Sequence, residues 1–105
     1  MEPEPSAANE DPAEVVDETD ASRFAIAMDG AVAELVYHLN GKRLVLIHTG
    51  VPDELGGRGL GGLLVRAALD RARREGLTIV PNCPYARRWL ETHADETAGV
   101  DIDWS

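Results

Sequence analysis

The sequence predicts a mixed α/β (α+β) domain, an antiparallel meander followed by a β-α-β crossover and a C-terminal helix. Three features predict it. Two Asx-Gly dipeptides, Asp29-Gly30 and Asn40-Gly41, sit between strand-like apolar runs, as in two consecutive hairpins. A glycine-rich stretch over residues 56–62 leads into an amphipathic helix from Leu60. A short apolar run, Leu77 to Val80, then ends at Pro81, and Pro84 is well placed to open a second helix, where its missing N–H costs nothing. Strand, helix, strand implies a right-handed crossover and a parallel pair, so the sheet is mixed.

The elements follow in order. Residues 1–20 carry eight acids, three prolines and no Lys or Arg, and their only apolar pair is Val15-Val16. Such a segment buries too little surface to offset its ordering entropy, so residues 1–20 are expected to be a disordered acidic tail and residues 21–105 the folded domain. Strands are expected over Arg23–Met28, Ala31–Leu39 and Lys42–Val51, with both dipeptides in type I′ turns, whose two central residues need positive φ. In the third strand Leu44-Val45-Leu46-Ile47 is apolar on both faces, the pattern of a central strand covered by helices on both sides. Leu60, Leu63, Leu64, Ala67, Ala68 and Ala72 recur at helical spacing opposite Arg66, Asp70, Arg71, Arg73 and Arg74, and Gly76 is placed for a left-handed C-terminal cap. On the second helix Tyr85 and Trp89, at four-residue spacing, read as core, with either ring alternatively walling a pocket. Val100 to Trp104 alternates apolar and polar residues and reads either as an edge strand or as a frayed end.

Charge and composition exclude several functions. The chain has 105 residues, 19 acidic against 10 basic, for a formal net charge of -9; beyond residue 20, 11 acids face 10 bases, so the acidity belongs to the tail. A nearly neutral domain lacks the Lys/Arg surplus that neutralises phosphates, and no nucleic-acid partner is expected. No apolar run approaches the roughly 20 residues of a membrane span, and the acidic N-terminus is unlike a secretory signal, so a cytoplasmic protein with no membrane partner is expected. The single cysteine, Cys83, cannot form an intrachain disulfide or a multi-cysteine zinc site, and His93 has no ligand partners at suitable spacing; no metal is expected.

The glycine cluster is the first candidate site. Glycines let backbone approach a ligand closely, and the first turn of a helix presents unpaired N–H groups at the positive end of its dipole, so a pyrophosphate fits there. The alternative is a flexible loop with glycines that serve helix packing. Gly57 to Gly62 also satisfies G-x-G-x-x-G, but the antiparallel meander before it and the short chain contradict a dinucleotide fold, and no G-K-[ST] follows to make a nucleotide P-loop.

Three stretches together, His48-Thr49-Gly50-Val51-Pro52, Gly57-Arg58-Gly59-Leu60-Gly61 and Val80-Pro81-Asn82-Cys83-Pro84-Tyr85, resemble the small, single-domain branch of the GNAT superfamily of N-acetyltransferases. The resemblance runs from about Arg23 to His93 and implies a GNAT-like mixed sheet with acetyl-coenzyme A as donor and an amine as acceptor. It implies that Gly57, Arg58, Gly59, Leu60 and Gly61 bind the coenzyme pyrophosphate through backbone amides, that Val51 contacts the pantetheine arm, and that the thioester lies where the central strand and the Leu77–Val80 strand diverge. Cys83 sits just beyond that divergence. At a helix N-terminus it is an acetyl-accepting nucleophile or a hydrogen-bonding group near the thioester; alternatively it is a small buried hydrophobe. Gly50 stands where this branch commonly has glutamate, which leaves His48 as the nearest candidate base, on the same strand face by alternation, or else as a plain strand histidine. Trp89 stands where many members have a proton-donating tyrosine, a transfer tryptophan cannot make, and Cys83, Tyr85 or water would substitute.

The expected function is therefore acetyl-coenzyme A-dependent N-acetyl transfer by direct attack of an amine on the thioester. The alternative is a non-catalytic coenzyme-binding or protein-interaction module on the same fold. So short a chain leaves an open acceptor site, or one completed by a partner such as the second copy of a homodimer.

Overall fold

The computed structural model of the chain describes residues 14–105. Six strands, β1 (Val16–Glu18), β2 (Arg23–Met28), β3 (Ala31–Asn40), β4 (Arg43–Gly50), β5 (Thr78–Pro81) and β6 (Asp101–Ile102), form one sheet in sequential order. The first four pair antiparallel, while β4–β5 and β5–β6 are parallel. Helix α1 (Leu60–Glu75) makes the crossover between β4 and β5, and α2 (Pro84–Thr92) follows β5. No helix among the described residues is long and apolar enough to cross a membrane.

The turn chemistry holds at one hairpin and differs at the other. Asp29 and Gly30 both have positive φ, as a type I′ turn requires. The second hairpin turns on Gly41-Lys42, because Asn40 still pairs with Arg43, and there only Gly41 has positive φ, the pattern of a type II′ turn. Gly76 is left-handed and closes α1, where the Leu77 amide donates to the Ala72 carbonyl at 2.9 Å. Val100 to Trp104 provides the short edge strand: the Asp103 amide donates to the Ile79 carbonyl at 2.8 Å, and Arg43 holds the Asp103 carboxylate at 2.7 Å.

Burial corrects the expectation of a strand covered on both faces. Phe24 and Ile26, then Ala33, Leu35 and Tyr37, then Leu44 and Leu46 all point to one side, where Leu64, Val65, Ala68 and Leu69 of α1 and Leu90 of α2 complete the core. Both helices pack on that face and on each other. The other face is open, with Val32 41% and Ile47 47% exposed. The apolar run of β4 reflects one buried face and one exposed apolar face, which hydropathy alone does not separate.

A second correction concerns the N-terminal boundary. Residues 1–13 of the expected tail lie outside the described residues, but Val16–Glu18 pairs with β2, so strand structure begins before residue 21. The anchor is Asp17, which accepts hydrogen bonds from the Tyr37 hydroxyl at 2.7 Å and from the Arg71 guanidinium at 3.0 Å. Arg71, expected on the polar face of α1, is instead 8% exposed, because it also donates to the Tyr37 hydroxyl at 2.9 Å under β1. Three groups that would each be costly to bury alone thus satisfy one another. Burial, and then the hydrogen bond to Asp17, hold the Tyr37 phenol above its ordinary pKa.

Removing the acid tests this anchor. Asp17→Ala leaves the Arg71 charge without its main partner under β1 and is expected to lower unfolding free energy by about 2–4 kcal/mol, read from urea denaturation. Because the Tyr37 pKa is raised in the folded state, the stability held by its proton is complete below about pH 10 and lost as pH rises through the folded value.

Candidate functional site

The site begins with an irregularity in β4. Tyr37 pairs with Leu46 and Val36 pairs with His48, so Ile47 is an extra residue, a β-bulge. Plain alternation from the buried Leu44 and Leu46 would place His48 and Gly50 under the helices. The bulge reverses that parity: His48 pairs with Val36 and Gly50 with Glu34, both on the open face, while Thr49 pairs with the buried Leu35 and points to the helix side.

Immediately beyond, β4 and β5 part. Their parallel register ends at Leu46 and Pro81, beyond which the Asn82 amide turns back to the Val80 carbonyl at 3.0 Å instead of continuing the ladder. The Cys83 amide closes the pair by donating to the Leu46 carbonyl at 2.8 Å. Residues 47–50 therefore have β3 on one edge and no strand on the other, leaving a slot in the sheet beside the first turn of α2.

On the helix side this slot opens into a cavity of about 410 Å³ bounded by Thr49, Val51, Leu55, the glycine loop and Tyr85. The glycines divide into two tasks. Gly57 and Gly59 have φ of +78° and +74°, and a side chain at either would meet no other group. Gly59 is the N-cap of α1 and offers no side chain to its first-turn amides, and Gly59, Leu60 and Gly61 of that uncapped turn line the cavity. That is the arrangement expected of a cradle for an anionic diphosphate, so the residues present fit the coenzyme. Asp53 on the same wall works against it electrostatically. Gly61 and Gly62 instead permit helix packing: a Cβ at Gly61 would lie 2.5 Å from the Tyr85 hydroxyl oxygen, and one at Gly62 would lie 2.8 Å from Trp89 Nε1.

Each sequence-derived candidate has a definite place. Val51 lines the cavity, as do Gly57, Gly59, Leu60 and Gly61, although the Leu60 side chain is core at 3% exposure. The Arg58 side chain turns away from the loop and donates to Asp29 at 2.9 Å on the β2–β3 hairpin, so only its backbone remains for the anion. Cys83 is the N-cap of α2, 2% exposed, with Sγ 3.2 Å from Thr49 Oγ1, and it does not line the cavity. His48 is exposed on the opposite face. The two candidate catalytic residues thus lie on opposite sides of β4, because the bulge separates them.

The helix aromatics also separate. Trp89 is core, stacked on His93 at 3.9 Å between ring centroids, whereas Tyr85 is 39% exposed and walls the cavity. Partial burial, and secondarily the charge that Cys83 carries when ionised, push the Tyr85 phenol above its ordinary pKa, so it holds its proton. Two residues escaped the sequence reading. Thr49 gains its role only from the bulge. Asp29 was legible as a turn residue, but its tie to Arg58 was not.

Comparison with known proteins agrees with this architecture. The family description "GCN5-related N-acetyl-transferase" matches residues 23–100. Protein NATD1 of Gallus gallus is 35% identical over 83 residues, 76% of each chain. Protein NATD1 of Homo sapiens is 38% identical over 72 residues, 66% of this chain and 64% of its own. The NMR solution structure of a GCN5-like candidate N-acetyltransferase from Staphylococcus aureus superposes with a TM-score of 0.67 at 30% identity, covering 89% of this chain and 93% of that one. With this match extending from β2 through the residue before β6, and with meander, glycine loop, crossover and slot in the corresponding order, the chain belongs to the GCN5-related N-acetyltransferase family.

Proposed function

We propose that the protein is an acetyl-coenzyme A-dependent N-acetyltransferase that acts on an amine. The observation that carries this reading is the union of an uncapped glycine turn at the start of α1 with a slot between β4 and β5, joined by one cavity. The coenzyme supplies an acetyl group activated as a thioester. The amides of Gly59, Leu60 and Gly61 would hold its diphosphate at the positive end of α1, Val51 would lie along the pantetheine, and the acyl end would reach toward Thr49.

Each side chain then has a distinct task. Tyr85, protonated and on the cavity wall, is the donor for the departing sulfur, a role Trp89 cannot take because its indole N–H is not an acid of suitable strength. Cys83 positions the Thr49 hydroxyl from behind the cavity wall rather than acting as a nucleophile, since it is buried and direct attack by an amine needs no covalent enzyme intermediate. A second reading, coenzyme binding without transfer, is favoured by Gly50, which brings no functional group of its own to the slot.

Three measurements test these assignments. Calorimetric titration with acetyl-coenzyme A is expected to give saturable binding, abolished in Gly59→Asp and largely kept in Gly59→Asn, which has the same backbone demand without the charge; absence of binding by the wild type would overturn the proposal, and binding with no thiol release across an amine panel would favour the second reading. Tyr85→Phe is expected to lower kcat on the order of 10²-fold. Since the Tyr85 pKa is raised, wild-type kcat should decline only as pH climbs past the ordinary tyrosine range near 10, and that alkaline limb should vanish in the variant. Cys83→Ala is expected to retain transfer within about tenfold, with no acetyl-protein in mass spectra of the wild type; a 10³-fold loss would restore the nucleophile role.

A further inference from the structure

The glycine turn before α1 has little of its own to hold it in shape. Gly56, Gly57, Arg58 and Gly59 are all exposed, and Gly57 and Gly59 are left-handed. The Gly56 amide donates to the Asp53 carbonyl at 3.0 Å, but among the described residues the amides of Gly57, Arg58 and Gly59 reach no backbone carbonyl. Glycine has more backbone freedom to lose than any other residue, so a turn of this composition keeps one geometry only if something ties it.

Arg58 carries the turn's only side chain beyond hydrogen, and that side chain does not line the cavity. It crosses instead to the β2–β3 hairpin, where Nη1 lies 2.9 Å from Asp29 Oδ2 and 3.0 Å from Met28 Sδ. The hairpin is a firm support. Its strands pair as far as Met28 and Ala31, Met28 packs against the core, and Asp29 occupies the type I′ turn with φ of +55°. Both charged groups of the pair are about half exposed, and ion pairs of that kind add little to folding stability. What this one does is fasten a turn that has no other side-chain tie.

We propose that Arg58 is a positioning residue: its ion pair with Asp29 latches the glycine turn in the geometry that presents the first amides of α1 to the coenzyme diphosphate. The inference rests on the acetyl-coenzyme A reading and adds the tip of the β2–β3 hairpin to what sets coenzyme affinity. A turn already held in the free protein loses less backbone freedom on binding, so affinity rises without any new contact to the ligand. Two simpler roles for Arg58 differ from this one in sign. If Arg58 only attracted the phosphates at a distance, or swung into the cavity to bind one, Asp29 would be a competitor and neutralising it would tighten coenzyme binding. If Arg58 acts through Asp29, neutralising Asp29 weakens binding, although a negative charge near a polyanion has been removed.

The deciding variant is therefore Asp29→Asn. Asparagine tolerates left-handed backbone, and Asn-Gly is a preferred type I′ dipeptide, so the hairpin keeps its shape while the charge is lost. In calorimetric titrations with acetyl-coenzyme A at fixed salt, Asp29→Asn is expected to raise Kd about threefold to fivefold, the range an exposed pair allows. Its urea midpoint is expected to match that of the wild type, which separates the effect from a general loss of stability. Arg58→Gln should raise Kd at least as much, and the double variant no further than Arg58→Gln alone, because the two side chains act as one unit. An unchanged or lowered Kd in Asp29→Asn, or losses that simply add in the double variant, would overturn the latch.

A coenzyme-free measurement keeps the latch and the acetyl-coenzyme A reading apart. In the free wild-type protein, nitrogen-15 relaxation should give the amides of Gly57, Arg58 and Gly59 order parameters near the rigid value of about 0.85, falling toward about 0.6 in Asp29→Asn and Arg58→Gln while Gly30 and Gly61 stay unchanged. A turn already loose in the wild type, or equally rigid in the variants, would overturn the latch whatever the coenzyme does. A rigid turn that loosens in both variants, in a protein that binds no acetyl-coenzyme A, would overturn the coenzyme reading and leave the latch standing.

Discussion

Ile47 has no partner in β3, and the consequences of that one unpaired residue reach both faces of the sheet. By reversing the alternation, the bulge turns Thr49 toward Cys83 and the helices and turns His48 and Gly50 toward the open side. The turn after Pro81 completes the effect from the neighbouring strand, because the Asn82 amide is spent on the Val80 carbonyl and the parallel ladder stops at Leu46. A register change and a diverted N–H therefore open a passage through a sheet that would otherwise be continuous. Had β4 alternated regularly, the polar residues of His48-Thr49-Gly50 would have faced the wrong partners, and the helix-side cavity would have had a histidine under α2.

The glycine-rich segment shows how two demands share one stretch of chain. Gly57 and Gly59 adopt left-handed backbone with open space around them, whereas Gly61 and Gly62 are small because Tyr85 and Trp89 rest on the first turn of α1. The two tasks are coupled. Close approach of α2 brings Tyr85 onto the cavity wall, and the same approach confines Trp89 to the core, so a four-residue spacing along one helix yields one accessible ring and one structural ring.

Charge is arranged with similar economy. The buried Arg71, Asp17 and Tyr37 tie β1 to the helix layer, and one residue further along, Glu18 joins Arg23 and Glu34 on the open face. A three-residue strand thus joins a structural network on one side and an exposed ladder on the other, which is the alternation of a strand put to use. The short strand at the other edge, β6, is held by Arg43 and Asp103, so each end of the sheet carries an ion pair to a terminal segment.

Much of this was readable from residue order, and its legibility followed distance along the chain. The strand β2, the Asp29-Gly30 turn, the α1 stripe with its Gly76 cap and the Pro84 start of α2 depend on neighbours a few residues apart, and short-range periodicity and turn chemistry carry that information. The glycine turn and the three motif stretches pointed to the same fold for the same reason. What residue order left open depended on contacts between distant segments. An extra residue in β4 is invisible until β3 sets the register, so the face on which His48 lies, its separation from Cys83, and the meeting of Gly50 with Glu34 were all settled by pairing. The fate of Tyr85 and Trp89, the turning of Arg58 to Asp29 and the attachment of Val16–Glu18 likewise required the partner surface, because a side chain's environment is a property of what the fold brings against it.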